Sequence, residues 1–127
     1  MQEILWVGVG GFAGAVLRYL TNGMVQRWTA NSRLPHGTMA VNIIGCLVIG
    51  LLSHLADTRG ILNTQLRLLI LIGFLGAFTT FSTFGDETLS LFQDAKGGVA
   101  LLNIGAHLLL GLVAVWGGQG LARVIWG

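Results

Sequence analysis

The sequence predicts an all-α integral membrane protein of four transmembrane helices, and three observations carry that prediction. Of 127 residues, 54% are hydrophobic and only 9% are charged, against about 25% charged in ordinary soluble domains. The apolar residues gather in four runs, each close to the roughly 20 residues that cross a ~30 Å hydrocarbon core. The loops between them are short and hold most of the charge, which leaves no stretch for a soluble domain. The same numbers exclude other classes. A disordered chain needs low hydrophobicity and high charge. A single Cys cannot build a disulfide scaffold. Seven Lys and Arg in all are too few and too scattered for a nucleic-acid face. His36, His54 and His107 have no metal-ligand spacing, so an enzyme is not expected.

The chain forms a single domain, residues 1–127, with spans at about 4–25, 38–55, 66–92 and 99–126. Segment one reads ILWVGVGGFAGAVLRYLTNGMV, with Arg18 as its one charge. Met1-Gln2-Glu3 lacks the positive region of a cleaved signal, so this run is expected to stay as a span. Its Gly8-Val9-Gly10-Gly11-Phe12-Ala13 imitates a dinucleotide fingerprint, but no strand precedes it and no acidic residue follows at the required distance. Gly10 and Gly14, and Gly11 and Ala15, are four apart, a spacing that lets membrane helices approach closely. Segment two, TMAVNIIGCLVIGLLSHL, follows Pro35, where a loop ends and a helix can start. Segment four carries a further run of small residues from Gly105 to Gly118. Trp6, Trp28, Trp116 and Trp126 lie towards segment ends, as interfacial belts prefer.

Segment three is unusual. Residues 73 to 87 read GFLGAFTTFSTFGDE. Gly and β-branched Thr lower helix propensity, and hydroxyls compete for backbone bonds. The helix is therefore expected to break near Gly76 to Thr80. Irregular backbone at membrane depth survives only inside protein or along a water-filled path, and the freed carbonyls can hold a cation. The alternative is a kinked helix whose hydroxyls bond back to their own turn. Phe81 and Phe84 share a helix face, which Phe74, Ala77 and Phe78 are expected to continue. Ring edges are electropositive, so such a face could line an anion path. Asn42, in the middle of segment two, is either an anion-binding amide or polar glue between helices.

Charge gives little preference for either orientation. With four spans, one face collects Arg59, Arg67 and Arg123, and the other collects Arg27, Arg33 and Lys96. Lys and Arg near segment ends set orientation, so a balanced tally predicts insertion both ways. Two inverted copies can then pair about an axis in the membrane plane.

Three blocks, GGFAGAVLRY, GTMAVNIIG and GFLGAFTTFSTFGDET, resemble the Fluc (CrcB) family of small fluoride channels. The resemblance runs through most of the chain. It implies an antiparallel dual-topology homodimer in the bacterial cytoplasmic (inner) membrane, with two pores that pass fluoride passively. It implies fluoride coordination by the edges of Phe81 and Phe84 and by the amide of Asn42. It implies a structural sodium ion on the two-fold axis, held by the carbonyls of Gly76 and Thr79 from both copies. Arg18 matches a family Arg near the aqueous entrance, and Thr80, Ser82, Thr83 and Glu87 fall in the pore-associated block. Ala77 replaces a frequent Gly. In segment four, His107 and Gly111 stand where Ser is common, so any polar track there relies on His107 and Asn103. The rival reading is a small dual-topology, proton-coupled multidrug exporter. That class needs a carboxylate deep in the first span, where this chain has only Glu3 at the very end.

Overall fold

The computed structural model describes residues 1–59 and 62–126, without the side chains of 57–59. The side chain of Arg59, counted above in the orientation tally, therefore lies outside the described residues. Every regular element among the described residues is helical. Helix α1 is Gln2–Trp28 and α2 is His36–Arg59. The third span, Thr64–Gln93, is divided: α3 covers residues 64–78 and α4 is Phe81–Gln93. Helix α5 is Gly97–Trp126. Four stretches are long and apolar enough to cross a membrane, with mean hydropathies of 1.4, 2.0, 1.8 and 2.1 in chain order. Each extends one to three residues beyond the expected bounds at most ends, because polar terminal residues still close the last helical turns.

Local chemistry explains the boundaries. The Leu66 N–H donates to the Asn63 side chain at 2.8 Å, an N-cap that starts α3. Thr80 does the same for α4, its hydroxyl oxygen accepting from the Thr83 N–H at 3.3 Å. Helix α4 ends in a Schellman turn. The Lys96 N–H donates to Leu91 O at 2.9 Å and the Ala95 N–H to Phe92 O at 3.1 Å. Ala95 takes the left-handed position at φ 57°, which more often holds Gly.

The helices pack as two parallel pairs. Helix α1 lies along α3, and α2 lies along α5. Small residues make both contacts. A Cβ on Gly10 would run into the Leu69 carbonyl, and one on Gly14 into the Phe74 carbonyl. Gly73 faces Val7 O in return, while Gly50 and Gly118 sit against the backbones of Val115 and Leu47. The expected glycine packing in segment one is thus met inside the chain. Of the dinucleotide-like run, Gly10 serves this contact, while Gly8 meets nothing and Val9 and Phe12 are exposed. Residues Arg67–Leu75 adopt π-helical winding, which the sequence did not suggest. The Leu69 and Phe74 carbonyls of this stretch lie against Gly10 and Gly14 of α1.

The regular winding stops at Thr79 and Thr80. Thr79 has φ −86° and ψ 158°, and Thr80 has φ −149° and ψ 114°, both extended. Gly76 itself is helical, at φ −61° and ψ −34°. The interruption is therefore confined to the C-terminal end of the expected stretch. One expectation for the Phe residues is corrected by it. The rings do not form one continuous face, because the extended pair turns the chain between them. Phe74 and Phe78 stack at 5.9 Å, and Phe78 is buried. Phe81 and Phe84 form a separate tilted pair at 5.6 Å, and Phe81 is 84% exposed.

Candidate functional site

Two polar layers cross the bundle where α2, α4 and α5 meet. The first is built on the break. Asn42 of α2 reaches the extended Thr80 with both ends of its amide. Its Nδ2 donates to Thr80 O at 3.0 Å, and its Oδ1 accepts from the Thr80 N–H at 2.8 Å. Asn42 thus makes a structural bond across helices, one of the two roles open to it. One N–H of its NH2 group remains beyond that pair. The Thr80 hydroxyl meets the Thr83 hydroxyl at 2.9 Å and Ser82 Oγ at 3.4 Å. The Thr79 hydroxyl bonds back to Leu75 O at 3.0 Å. Back-bonding and a broken helix, weighed above as alternatives, occur together.

The second layer lies one turn along α2 and α5. The Thr38 hydroxyl donates to Glu87 Oε1 at 2.7 Å. Asn103 Nδ2 donates to the Thr88 hydroxyl at 2.9 Å, and that hydroxyl donates to Phe84 O at 2.6 Å. Asn103 is 0% exposed. Thr38 and Thr88 were not picked out from the sequence. The signal for Thr38 was its four-residue spacing from Asn42 and Cys46 on one helix, matched by Asn103, His107 and Gly111 on its neighbour; Thr88 had none.

A cavity of about 390 Å³ opens beside the first layer. Among the expected site residues it gathers Asn42, Thr80, Phe81, Phe84 and His107, together with Gly76 and Thr79. The His107 ring lies 4.4 Å from Phe84. Its Nδ1 is 3.0 Å from Asn103 O, and its Nε2 is buried without a partner. Arg18 is elsewhere. It lines a second cavity of about 440 Å³ with Asn22, Gln26, Thr80 and Thr83. Thr80 forms part of the wall of both. Glu87 lines a third cavity, of about 250 Å³, at the end of the bundle near Arg33 and Asp94. Ser82 is exposed and lines none of these three.

The backbone at the break also bears on a cation. In an unbroken helix the Thr80 and Thr83 N–H groups would fill the carbonyls of Gly76 and Thr79. Here the first goes to Asn42 Oδ1 and the second to Thr80 Oγ1. Both carbonyls are left without their helical donors, and a Cβ on Gly76 would meet nothing within 4 Å. Unwound backbone carbonyls of this kind can coordinate an alkali cation.

The family model described as CrcB-like protein, Camphor Resistance (CrcB), matches residues 5–119. The chain belongs to the CrcB family. A protein of Maridesulfovibrio salexigens named fluoride-specific ion channel FluC is 45% identical over 125 residues, covering 98% of both chains. Proteins of the same name from Acidobacterium capsulatum and Methylobacillus flagellatus are 46% and 40% identical, covering 93% and 98% of this CrcB-family chain. The exporter reading finds no support among these relatives.

Proposed function

We propose that this chain is a fluoride-selective channel of the bacterial cytoplasmic membrane, working as an antiparallel homodimer with two pores. The observation that carries the reading is the neutral cavity at the break, walled by Asn42, Thr80, Phe81 and Phe84, in a chain whose near-full-length relatives are named for fluoride. Fluoride holds its water tightly, and a bare ion in an apolar medium costs tens of kcal/mol. The wall must replace that water with several weak donors. The free N–H of Asn42 and the edges of Phe81 and Phe84 are donors of that kind, while the Thr79 and Thr80 hydroxyls are spent on Leu75 O and Thr83 Oγ1. None carries a charge, so a bound ion can also leave. Arg18, in the adjoining cavity, raises the local anion concentration outside this wall rather than within it. Glu87 sits away from the cavity, its Oε1 held by Thr38.

Dimerisation is supported by what a single chain leaves uncovered. Phe81 and Gly76 are exposed, and the cavity they line is open rather than enclosed. A second, inverted copy would close that side. In the same arrangement the carbonyls of Gly76 and Thr79 from both copies would hold a sodium ion. Its contribution is a fixed positive charge at the break and a tie between copies.

Purified protein in liposomes is expected to release fluoride, with chloride retained, in a fluoride-electrode assay. Phe81→Ile and Phe84→Ile are expected to cut that release while the dimer persists by crosslinking. Release of chloride as fast as fluoride would overturn the selectivity, and full release by both variants would overturn the ring-edge role.

A further inference from the structure

We infer that His107 makes fluoride binding in this cavity depend on a proton, so that fluoride and a proton occupy the site together. The inference rests on the fluoride reading above and concerns this chain's own segment-four residue. His107 Nδ1 lies 3.0 Å from a backbone carbonyl, which can only accept, so Nδ1 carries hydrogen. A neutral ring then presents a bare lone pair at Nε2. That atom is buried, has no partner, and belongs to a residue lining the cavity with Asn42, Thr80 and Phe84. A lone pair offers nothing to an anion. Protonation instead places a positive charge on a ring of the cavity wall, packed against Phe84.

The surroundings decide how the proton is held. Helix α2 presents Cys46 to the cavity, and the wall formed by α2, α3 and α4 carries no charged side chain. The titratable groups of α4 are Asp86 and Glu87, a turn beyond Phe84, with Glu87 Oε1 bonded to Thr38. On α5 no other titratable group lines the cavity. A buried imidazolium without a counter-charge is unfavourable, and fluoride is the counter-charge that the cavity admits. Fluoride is a far weaker base than imidazole, so the proton stays on Nε2 and no acid is formed. Binding of either partner therefore favours the other, and linkage makes the effect reciprocal. The charged ring also holds fluoride longer, so passage slows as the ring protonates.

The test is equilibrium fluoride binding to the purified protein in nanodiscs at about pH 5.5 and about pH 7.5, which bracket ordinary imidazole titration. Wild type is expected to bind fluoride at least about fivefold more tightly on the acid side, the lower end of usual coupling between sites. His107→Gln and His107→Asn are expected to bind equally at both. Glu87→Gln is expected to retain the pH response. In wild type, which needs no substitution to fold, fluoride is expected to shift the 15N signal of His107 Nε2 on the acid side only. Equal binding by wild type at both pH values, a response surviving in His107→Gln, or its loss in Glu87→Gln would overturn the inference while leaving the channel reading intact. A wild type that neither binds nor releases fluoride at any pH would overturn both.

Discussion

At the break, Asn42 of α2 is held against the extended backbone of Thr80. Its amide replaces the helical partner of the Thr80 N–H and also bonds the Thr80 carbonyl. Removing it leaves a buried N–H without an acceptor, which costs about 1–3 kcal/mol, or lets the helix close across residues 79 and 80. Either outcome alters the cavity. Asn42→Ala is therefore expected to lower the thermal stability of the detergent-solubilised protein and to lose most fluoride release. A variant with wild-type melting and full release would show that the amide neither holds the break nor lines the path. Asn42 itself was legible, because an amide in the middle of an apolar run needs a partner. Its partner was not, since Thr80 lies 38 residues away and only the packed bundle brings them together. The Glu87 contact with Thr38 was hidden for the same reason. His107 was legible as an isolated polar residue on a helix face, but the state of its two nitrogens follows only from where Asn103 O lies.

At the scale of elements, the positions of the four spans follow from hydropathy alone. The break follows from residue type, since two adjacent Thr after a Gly-rich turn are poor helix formers. Its exact place did not, because Gly76 remains helical when the diverted bonds begin only at Thr80. The π-helical winding of Arg67–Leu75 left no mark on the apolar run, whose residues suit either winding. It packs against the glycines of α1. Gly10 and Gly14 face backbone carbonyls so closely that even a methyl group forces the helices apart. Gly10→Ala and Gly14→Ala are each expected to destabilise by about 1–3 kcal/mol, the usual range for overpacking a close contact. Gly8, where a Cβ would meet nothing within 4 Å, is the internal control. Gly8→Ala is expected to leave the melting temperature unchanged or slightly raised, since Ala is the better helix former. Equal effects at Gly8 and Gly10 would mean that propensity, not helix contact, sets the cost.

The whole molecule raises the question of orientation. Gln2 and Trp6 share a cavity wall with Gln65, which places the start of α1 and the start of α3 at one end of the bundle. Gln26 and Arg33 share another with Asp86 and Asp94, which places the first loop and the end of α4 at the opposite end. Arg67 and Arg123 thus fall near the first end, and Arg27, Arg33 and Lys96 near the second. Neither end dominates, and translocation is resisted in proportion to such residues. If both orientations are needed for one dimer, a chain forced into a single orientation should not work alone. Thr64→Arg with Gln65→Arg loads the first end, and Ala30→Arg with Asn31→Arg loads the second, all at exposed positions. Each double variant is expected to lose fluoride release from cells when expressed alone, with its termini on one side by cysteine labelling. Co-expression of the two is expected to restore release, because each supplies the orientation the other lacks. Full release by either variant alone, with its orientation shown to be fixed, would mean that parallel copies suffice. The open side of the cavity at Phe81 and Gly76 would then have to be closed by a different face of the partner.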